Sequence, residues 1–202
     1  MNKRNALQWM AACAAVTATG GLVSACGEKT PGFTAIDITG ADYALDFALT
    51  DHNGQSRSLK DFAGKVVLLF FGYIYCPDVC PTTMTALAEV KKLLGKNGDR
   101  LQVLFVTVDP ERDSADLLKA YMGNFDPSFL ALYTSPEKLK ALAKDYKLYY
   151  KKEPGPTPTS YSVDHSAGTY VYDSLGKLRL YAPYGIAAQA LASDIELLLK
   201  NT

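Results

Sequence analysis

An uninterrupted apolar run, Val66-Val67-Leu68-Leu69-Phe70-Phe71, constrains the fold more than any other part of the sequence. The run has no polar face to turn towards water, and its β-branched and aromatic residues favour a strand covered on both sides. Residues 101–108 repeat the pattern as Leu-Gln-Val-Leu-Phe-Val-Thr-Val. Parallel or mixed sheets with helices on both faces bury their strands in this way. The two runs therefore predict an α/β fold.

The segments around these runs alternate between helical and strand patterns. Apolar residues at helical spacing predict helices over residues 82–94, 114–121, 136–146 and 187–199. Further strands are predicted over residues 46–50 and 129–133, with a hairpin over residues 168–172 and 178–181. Ser114 is expected to cap its helix, and Ser135-Pro136 to open the next. This order is that of a thioredoxin-like fold: a central mixed sheet with flanking helices, an N-terminal extension and an extra helix–strand insertion.

Composition excludes one class of partner. The chain has 202 residues, of which 48% are apolar, an ordinary value for one domain with a full-sized core. Lys plus Arg and Asp plus Glu are equal at 21 each, so no excess of positive charge indicates nucleic-acid binding.

The N-terminus has the layout of a secretory signal over residues 1–25. Lys3 and Arg4 give it a positive start, and residues 6–25 are uncharged but too rich in Gly, Ser and Thr for a good membrane span. Leu22-Val23-Ser24-Ala25-Cys26 resembles the lipobox of bacterial lipoproteins, which implies cleavage before Cys26 and a diacylglyceryl group on its thiol. Two acyl chains anchor a protein stably. We therefore expect export and lipid anchoring to a bacterial membrane, facing the periplasm or the cell exterior.

The processing site divides the chain and its cysteines. Residues 26–42 are interpreted as a flexible tether, and residues 43–202 as the folded domain. Cys13 leaves with the signal and Cys26 carries lipid. Cys76 and Cys80 remain for chemistry, in a compartment where a disulfide can persist.

The two remaining cysteines stand in Tyr75-Cys76-Pro77-Asp78-Val79-Cys80-Pro81, where the first apolar strand gives way to a helix. Pro81 fits the first helical position, so Cys80 is the expected N-cap. The positive end of the helix dipole favours thiolate at both sulfurs. A turn with three intervening residues can close a disulfide or open two sulfurs around an ion. Two thiolates suit a soft metal, Cu(I) above all, with zinc as a competitor.

A third metal ligand would have to come from elsewhere, and the chain has two histidines. His52 lies in an Asp-His-Asn-Gly turn and is interpreted as a solvated turn residue. His165 lies just before a predicted strand, in a loop that faces the cysteine turn in thioredoxin-like domains. From its position alone, His165 is as consistent with hydrogen-bonded packing as with metal binding. Asp164 can orient its ring, as carboxylates behind ligating histidines do, or be a plain turn residue.

Three separated motifs resemble the Sco/SenC family, whose members are copper-binding assembly factors for cytochrome c oxidase. The motifs are Phe71-Gly72-Tyr73 leading into Cys-Pro-Asp-Val-Cys-Pro, then Val108-Asp109-Pro110-Glu111-Arg112-Asp113, then Val163-Asp164-His165-Ser166. The resemblance extends from about Tyr43 to the C-terminus. It implies one copper ion per chain, Cu(I) or Cu(II), bound by Cys76, Cys80 and His165.

The resemblance also implies partners and a role. A metallochaperone of this kind acts on the second subunit of cytochrome c oxidase or a similar client, meets other copper chaperones, and is expected to be a monomer. The alternative is a thiol-disulfide oxidoreductase in which Cys76 and Cys80 form a redox-active pair that reduces the client's cysteines. Thioredoxins place a cis-proline where this chain offers His165, which favours a metal site. Residues 108–113 are interpreted as a structural, salt-linked loop, and residues 153–160 as a rigid exposed loop.

The lipobox resemblance predicts that Cys26→Ser yields a protein without diacylglycerol, because no other residue at the cleavage site has a thiol to modify. The variant should remain unprocessed or appear in the soluble fraction. Mass spectrometry of the mature N-terminus and membrane fractionation measure both effects. Cys13→Ser is the matched control and should leave anchoring unchanged. A parent protein whose mature N-terminus is an unmodified residue other than Cys26 would contradict the prediction.

Overall fold

The computed structural model describes residues 32–157 and 160–200. Within these ranges the elements follow in the order β1 (Ile36–Asp37), β2 (Leu49–Asp51), β3 (Ser56–Arg57), β4 (Val66–Gly72), α1 (Val79–Leu93), β5 (Leu101–Thr107), α2 (Ala115–Gly123), β6 (Leu130–Tyr133), α3 (Pro136–Asp145), β7 (Tyr150–Pro154), β8 (Tyr161–His165), β9 (Thr169–Tyr172), β10 (Leu178–Ala182) and α4 (Ala188–Lys200). The predicted signal peptide and Cys26 lie outside the described residues. None of the helices that the structure describes is long and apolar enough to cross a bilayer.

The central sheet has eight strands in the order β1-β10-β9-β4-β5-β6-β2-β3. Strand β4 pairs in parallel with β5 and antiparallel with β9, which confirms the predicted mixed sheet and α/β class. Every residue of β4 and β5 is buried, as their uninterrupted apolar sequences require. Helix α1 packs against α4 beside this core.

The helix starts follow from local chemistry. The Ser114 hydroxyl accepts a hydrogen bond from the Leu117 amide, and the Ser135 hydroxyl accepts one from the Lys138 amide, each at 3.4 Å. Both serines therefore satisfy an amide that has no partner inside its helix. Pro136 occupies the first helical turn, where no amide hydrogen is needed. Both predicted starts are confirmed.

The folded unit begins earlier than predicted. It begins at Phe33, and β1 forms the edge of the central sheet by pairing antiparallel with β10, with Ile36 opposite Tyr181. The Asp194 carboxylate, buried in α4, accepts hydrogen bonds from the amides of Thr34 and Ala35 at 2.8–3.1 Å. These contacts hold residues 34–37, which the sequence assigned to the tether, against the rest of the fold.

A second, two-stranded sheet replaces part of the predicted exposed loop. Strands β7 and β8 pair antiparallel, from Tyr150 opposite His165 to Pro154 opposite Tyr161. Val163 is buried, and the other residues of the two strands are half-buried or exposed. The short strands therefore lack the apolar alternation by which a strand is recognised. His165 consequently ends a strand and does not stand in a loop.

The Asp194 contacts predict that Asp194→Ala destabilises the protein by about 1–3 kcal/mol, because the buried Ala35 amide loses its acceptor. Urea denaturation measures the loss, and hydrogen exchange at Thr34 and Ala35 should accelerate. The control is Glu196→Ala on the same helix, whose exposed pairing with Lys200 spans 4.0 Å and should contribute under about 0.5 kcal/mol. Unchanged exchange at Thr34 and Ala35 in Asp194→Ala would contradict the assignment.

Candidate metal centre

The cysteine turn connects the buried end of β4 to the first turn of α1. Helix α1 begins at Val79 with Asp78 at its N-cap, so the prediction that Cys80 caps the helix is wrong. Pro81 is the third helical residue, a position that still needs no amide hydrogen. Cys80 is the second, and its free amide donates to the Cys76 Sγ at 3.4 Å. The helix N-terminus therefore contacts the sulfur of Cys76.

Cys80 is the buried member of the pair. Its side chain has no exposed surface, whereas Cys76 is half-buried, and both are free thiols. Burial raises the pKa of Cys80 far above its ordinary value, and negative charge at Cys76 raises it further. A hydrogen bond from the Tyr73 backbone lowers this pKa by less. The expected preference for thiolate therefore does not hold at Cys80 in the metal-free protein.

His165 meets Cys80 across 85 residues of sequence, with Nε2 3.5 Å from the Cys80 Sγ. Its Nδ1 lies 3.0 Å from the Val163 carbonyl oxygen, which can only accept, so Nδ1 carries the proton. Burial lowers the pKa of His165, which keeps the ring neutral near pH 7. The lone pair of Nε2 is thus directed at the sulfur, in the form in which imidazole binds a metal.

The ring of His165 is packed as well as hydrogen-bonded. It packs in T-shaped arrangements against the rings of Phe70 and Tyr73, with distances between ring centroids of 6.3 and 5.7 Å. The residue that fixes the tautomer is Val163, through its carbonyl, and not the predicted Asp164. The Asp164 side chain is exposed, and its charge raises the pKa of His165 less than burial lowers it. A further role for Asp164 stays a prediction.

The donor set suits a soft metal, although it is not a closed cage. Within residues 32–157 and 160–200, no group of three His, Cys, Asp or Glu side chains is already arranged around one point. Cys80 instead contacts each of the other two candidates, the Cys76 sulfur through its amide and the His165 nitrogen through its thiol. Two sulfurs and one imidazole favour copper or zinc over hard cations.

Behind the cysteines, Asp113 ties the turn to strand β5. Its Oδ2 accepts hydrogen bonds from the Ile74 amide at 3.2 Å and the Thr107 hydroxyl at 2.6 Å. The carboxyl is buried, and burial raises its pKa to about 6 although both hydrogen bonds lower it. Asp113 therefore holds the strand-to-turn junction that precedes Cys76.

Arg112 ties the same loop to the strand that carries His165. Its guanidinium is paired with the buried Asp109, lies 3.6 Å from the ring centroid of Tyr161, and donates to the Tyr161 carbonyl at 2.9 Å. The Tyr161 hydroxyl in turn donates to Asp109 at 2.8 Å. The predicted salt-linked loop is confirmed, but the sequence did not indicate that it joins the cysteine turn to β8.

The comparisons agree with this geometry. The SCO1/SenC family model matches residues 37–200. The chain belongs to the SCO1/SenC family. The mouse protein SCO2 homolog, mitochondrial, is 36% identical over 152 residues, which is 74% of this chain and 60% of the mouse protein. The chain thus spans less than two thirds of that relative's length.

Two solved SCO1/SenC relatives share the fold. Bradyrhizobium japonicum ScoI with copper bound is 36% identical, with a TM-score of 0.69 over 75% of this chain and 96% of that one. The apo Sco1 protein from Thermus thermophilus is 38% identical, with a TM-score of 0.71 over 84% and 97%. These matches confirm the resemblance and the thioredoxin-like fold that it implied.

His52, the other histidine of this SCO1/SenC chain, has a structural role. Its Nδ1 accepts a hydrogen bond from the Ala131 amide at 3.1 Å, and its own amide donates to the Ala131 carbonyl. Burial lowers its pKa. The interpretation of His52 as a solvated turn residue is therefore wrong, because it links the β2–β3 turn to β6.

The unequal burial of the thiols predicts that iodoacetamide modifies Cys76 before Cys80 in the reduced protein. Cys80 should react at least about tenfold more slowly, since one pKa unit already lowers the thiolate fraction tenfold. Peptide mass mapping over time measures both rates. Cys76→Ser is the control and should leave Cys80 slow. Equal alkylation rates of Cys76 and Cys80 in the parent would contradict the burial of the Cys80 thiol.

Proposed function

We propose that this chain is a copper metallochaperone that helps to assemble the dinuclear copper centre of cytochrome c oxidase. One observation carries the proposal: Cys80 Sγ and His165 Nε2 lie 3.5 Å apart, with the Cys76 sulfur on the Cys80 amide. Family membership and the copper in the structure of the Bradyrhizobium japonicum relative support it.

Cys76, Cys80 and His165 would hold one copper ion as cargo. Soft sulfur donors favour Cu(I), and the neutral imidazole suits either oxidation state. Binding at Cys80 must displace its proton, since burial keeps the thiol protonated without metal. Cys76 is half-buried beside the exposed Tyr75 and is therefore the ligand that a partner can reach.

The sequence supports a cellular setting for this proposal. Residues 1–25 would direct export, and the lipid on Cys26 would hold the mature chain at a bacterial membrane, facing the periplasm or the exterior. The client would be the second oxidase subunit or a similar copper site, supplied by other copper chaperones, with this chain acting as a monomer.

A thiol-disulfide oxidoreductase is the alternative. The contact between the Cys80 amide and the Cys76 sulfur brings two free thiols into one turn, which favours disulfide formation. In that reaction the two thiols would be oxidised to a disulfide while a client disulfide is reduced to two thiols, so electrons and protons balance.

The proposal predicts one equivalent of Cu(I) per reduced chain, measured by competition with a chromophoric chelator. Cys76→Ser, Cys80→Ser and His165→Ala should each weaken binding, the cysteine variants by at least about 100-fold, above the typical cost of losing a residue that only supports a ligand. His52→Ala is the matched control and should bind as the parent does. The disulfide-bonded chain should bind no copper, because a disulfide offers no thiolate.

The same samples separate the two functions. The copper-loaded full chain is mixed with a reduced, copper-free fragment of the oxidase subunit, and the metal on each is measured. Transfer supports the metallochaperone. Reduction of an oxidised fragment without copper transfer supports the oxidoreductase. Copper retained at the same stoichiometry by the disulfide-bonded chain would contradict the proposed ligands.

A further inference from the structure

Gly72 ends strand β4 directly beneath the Cys80 sulfur. A Cβ on this residue would lie 2.9 Å from Cys80 Sγ, 2.7 Å from Phe105 Cε2 and 2.9 Å from Phe70 Cε1. Gly72 is not among the glycines with a positive φ, so backbone conformation does not demand glycine here. Glycine is required here because a side chain would overlap the neighbouring side chains.

We propose that Gly72 is a positioning residue for the metal site. Because Gly72 has no side chain, the Cys80 sulfur can pack next to its backbone and stay within reach of His165. The role of that sulfur as a copper ligand rests on the proposed function. The packing of that sulfur next to Gly72 does not depend on the proposed function.

The Cys80 sulfur has little space into which it could move. It has no exposed surface, and His165 Nε2 stands 3.5 Å away. The imidazole cannot move away freely either, since the Val163 carbonyl holds its Nδ1 and the rings of Phe70 and Tyr73 pack against it in T-shaped arrangements. One segment of β4 and its extension, residues 70–73, therefore borders both Cys80 and His165.

The size of the displacement decides its effect on a metal site. Non-bonded atoms have their optimum contact at about 3.5–4.0 Å, so a methyl group at 2.9 Å requires the distance between it and the sulfur to grow by at least about 0.6 Å. Metal–ligand distances are held to about 0.2 Å. A Gly72→Ala substitution should thus disturb coordination even where the fold persists, to the extent that the shift is taken up by the sulfur and not by the rings of Phe70 and Phe105.

Gly123 provides a matched control, because a Cβ there would meet no atom within 4 Å. In the purified, reduced full-length chain, Gly72→Ala should lower Cu(I) affinity at least about tenfold and shift the sulfur-to-Cu(II) charge-transfer band, a signature that global stability does not move. Gly123→Ala should change neither. Parent-like affinity and an unshifted band in Gly72→Ala would overturn the proposal.

A second test needs no copper. It is a double-mutant cycle in which the midpoint of urea unfolding is measured for each variant. Gly72→Ala should lower the midpoint less in a Cys80→Ala background than in the parent, because alanine lacks the sulfur that the new methyl meets. Equal shifts in both backgrounds would assign the cost to Phe70 and Phe105 and overturn the proposal. If Gly72→Ala does not fold, its rescue by Cys80→Ala supports the proposal, and failure in both backgrounds overturns it.

The two tests separate this inference from the proposed function. A parent that binds no copper refutes the proposed function, and the cycle alone then decides whether Gly72 positions Cys80. A parent that binds copper, together with a Gly72→Ala variant that binds it equally, refutes only the role of Gly72.

Discussion

Seven consecutive residue pairs join β4 to β5 in parallel, from Val66 opposite Leu101 to Gly72 opposite Thr107. Parallel neighbours end at the same edge of a sheet, so the cysteine turn and the loop over residues 108–114 leave the core side by side. Asp113 can reach Ile74 only because of this register. The same loop then extends through Arg112 to Tyr161 and so fixes the strand that ends in His165. The candidate ligands meet because one buried strand pair brings their connections to one edge.

The two cysteines of the site lie in different environments, which suit them to different roles. Cys80 is fully buried beside His165, where burial opposes a free thiolate. Cys76 is half-buried, and its sulfur accepts a hydrogen bond from the Cys80 amide in the first turn of α1. A bound cation would supply at Cys80 the charge stabilisation that the apolar surroundings withhold. The site therefore has one candidate ligand whose thiol stays protonated without metal and one that is accessible to other molecules.

Much of the fold was predictable because its signals are local. The apolar sequence of β4 and the serine caps at Ser114 and Ser135 act within a few residues of themselves. The cysteine pair was recognisable for the same reason. The β7–β8 hairpin was not, because the Arg112 stack on Tyr161 stabilises it from 49 residues away. The space requirement at Gly72 was equally hidden, since it depends on a sulfur and on rings from other elements.

The hairpin that carries His165 belongs to a sheet of its own, with its pairing running from Tyr150–His165 at one end to Pro154–Tyr161 at the other. The turn of the hairpin lies beyond Pro154, at the end away from the imidazole. That turn can therefore change in length or composition without moving His165, because Arg112 holds Tyr161, which lies between the turn and His165. The sequence of this turn is thus free to diverge between relatives, while the distance between His165 and Cys80 is kept.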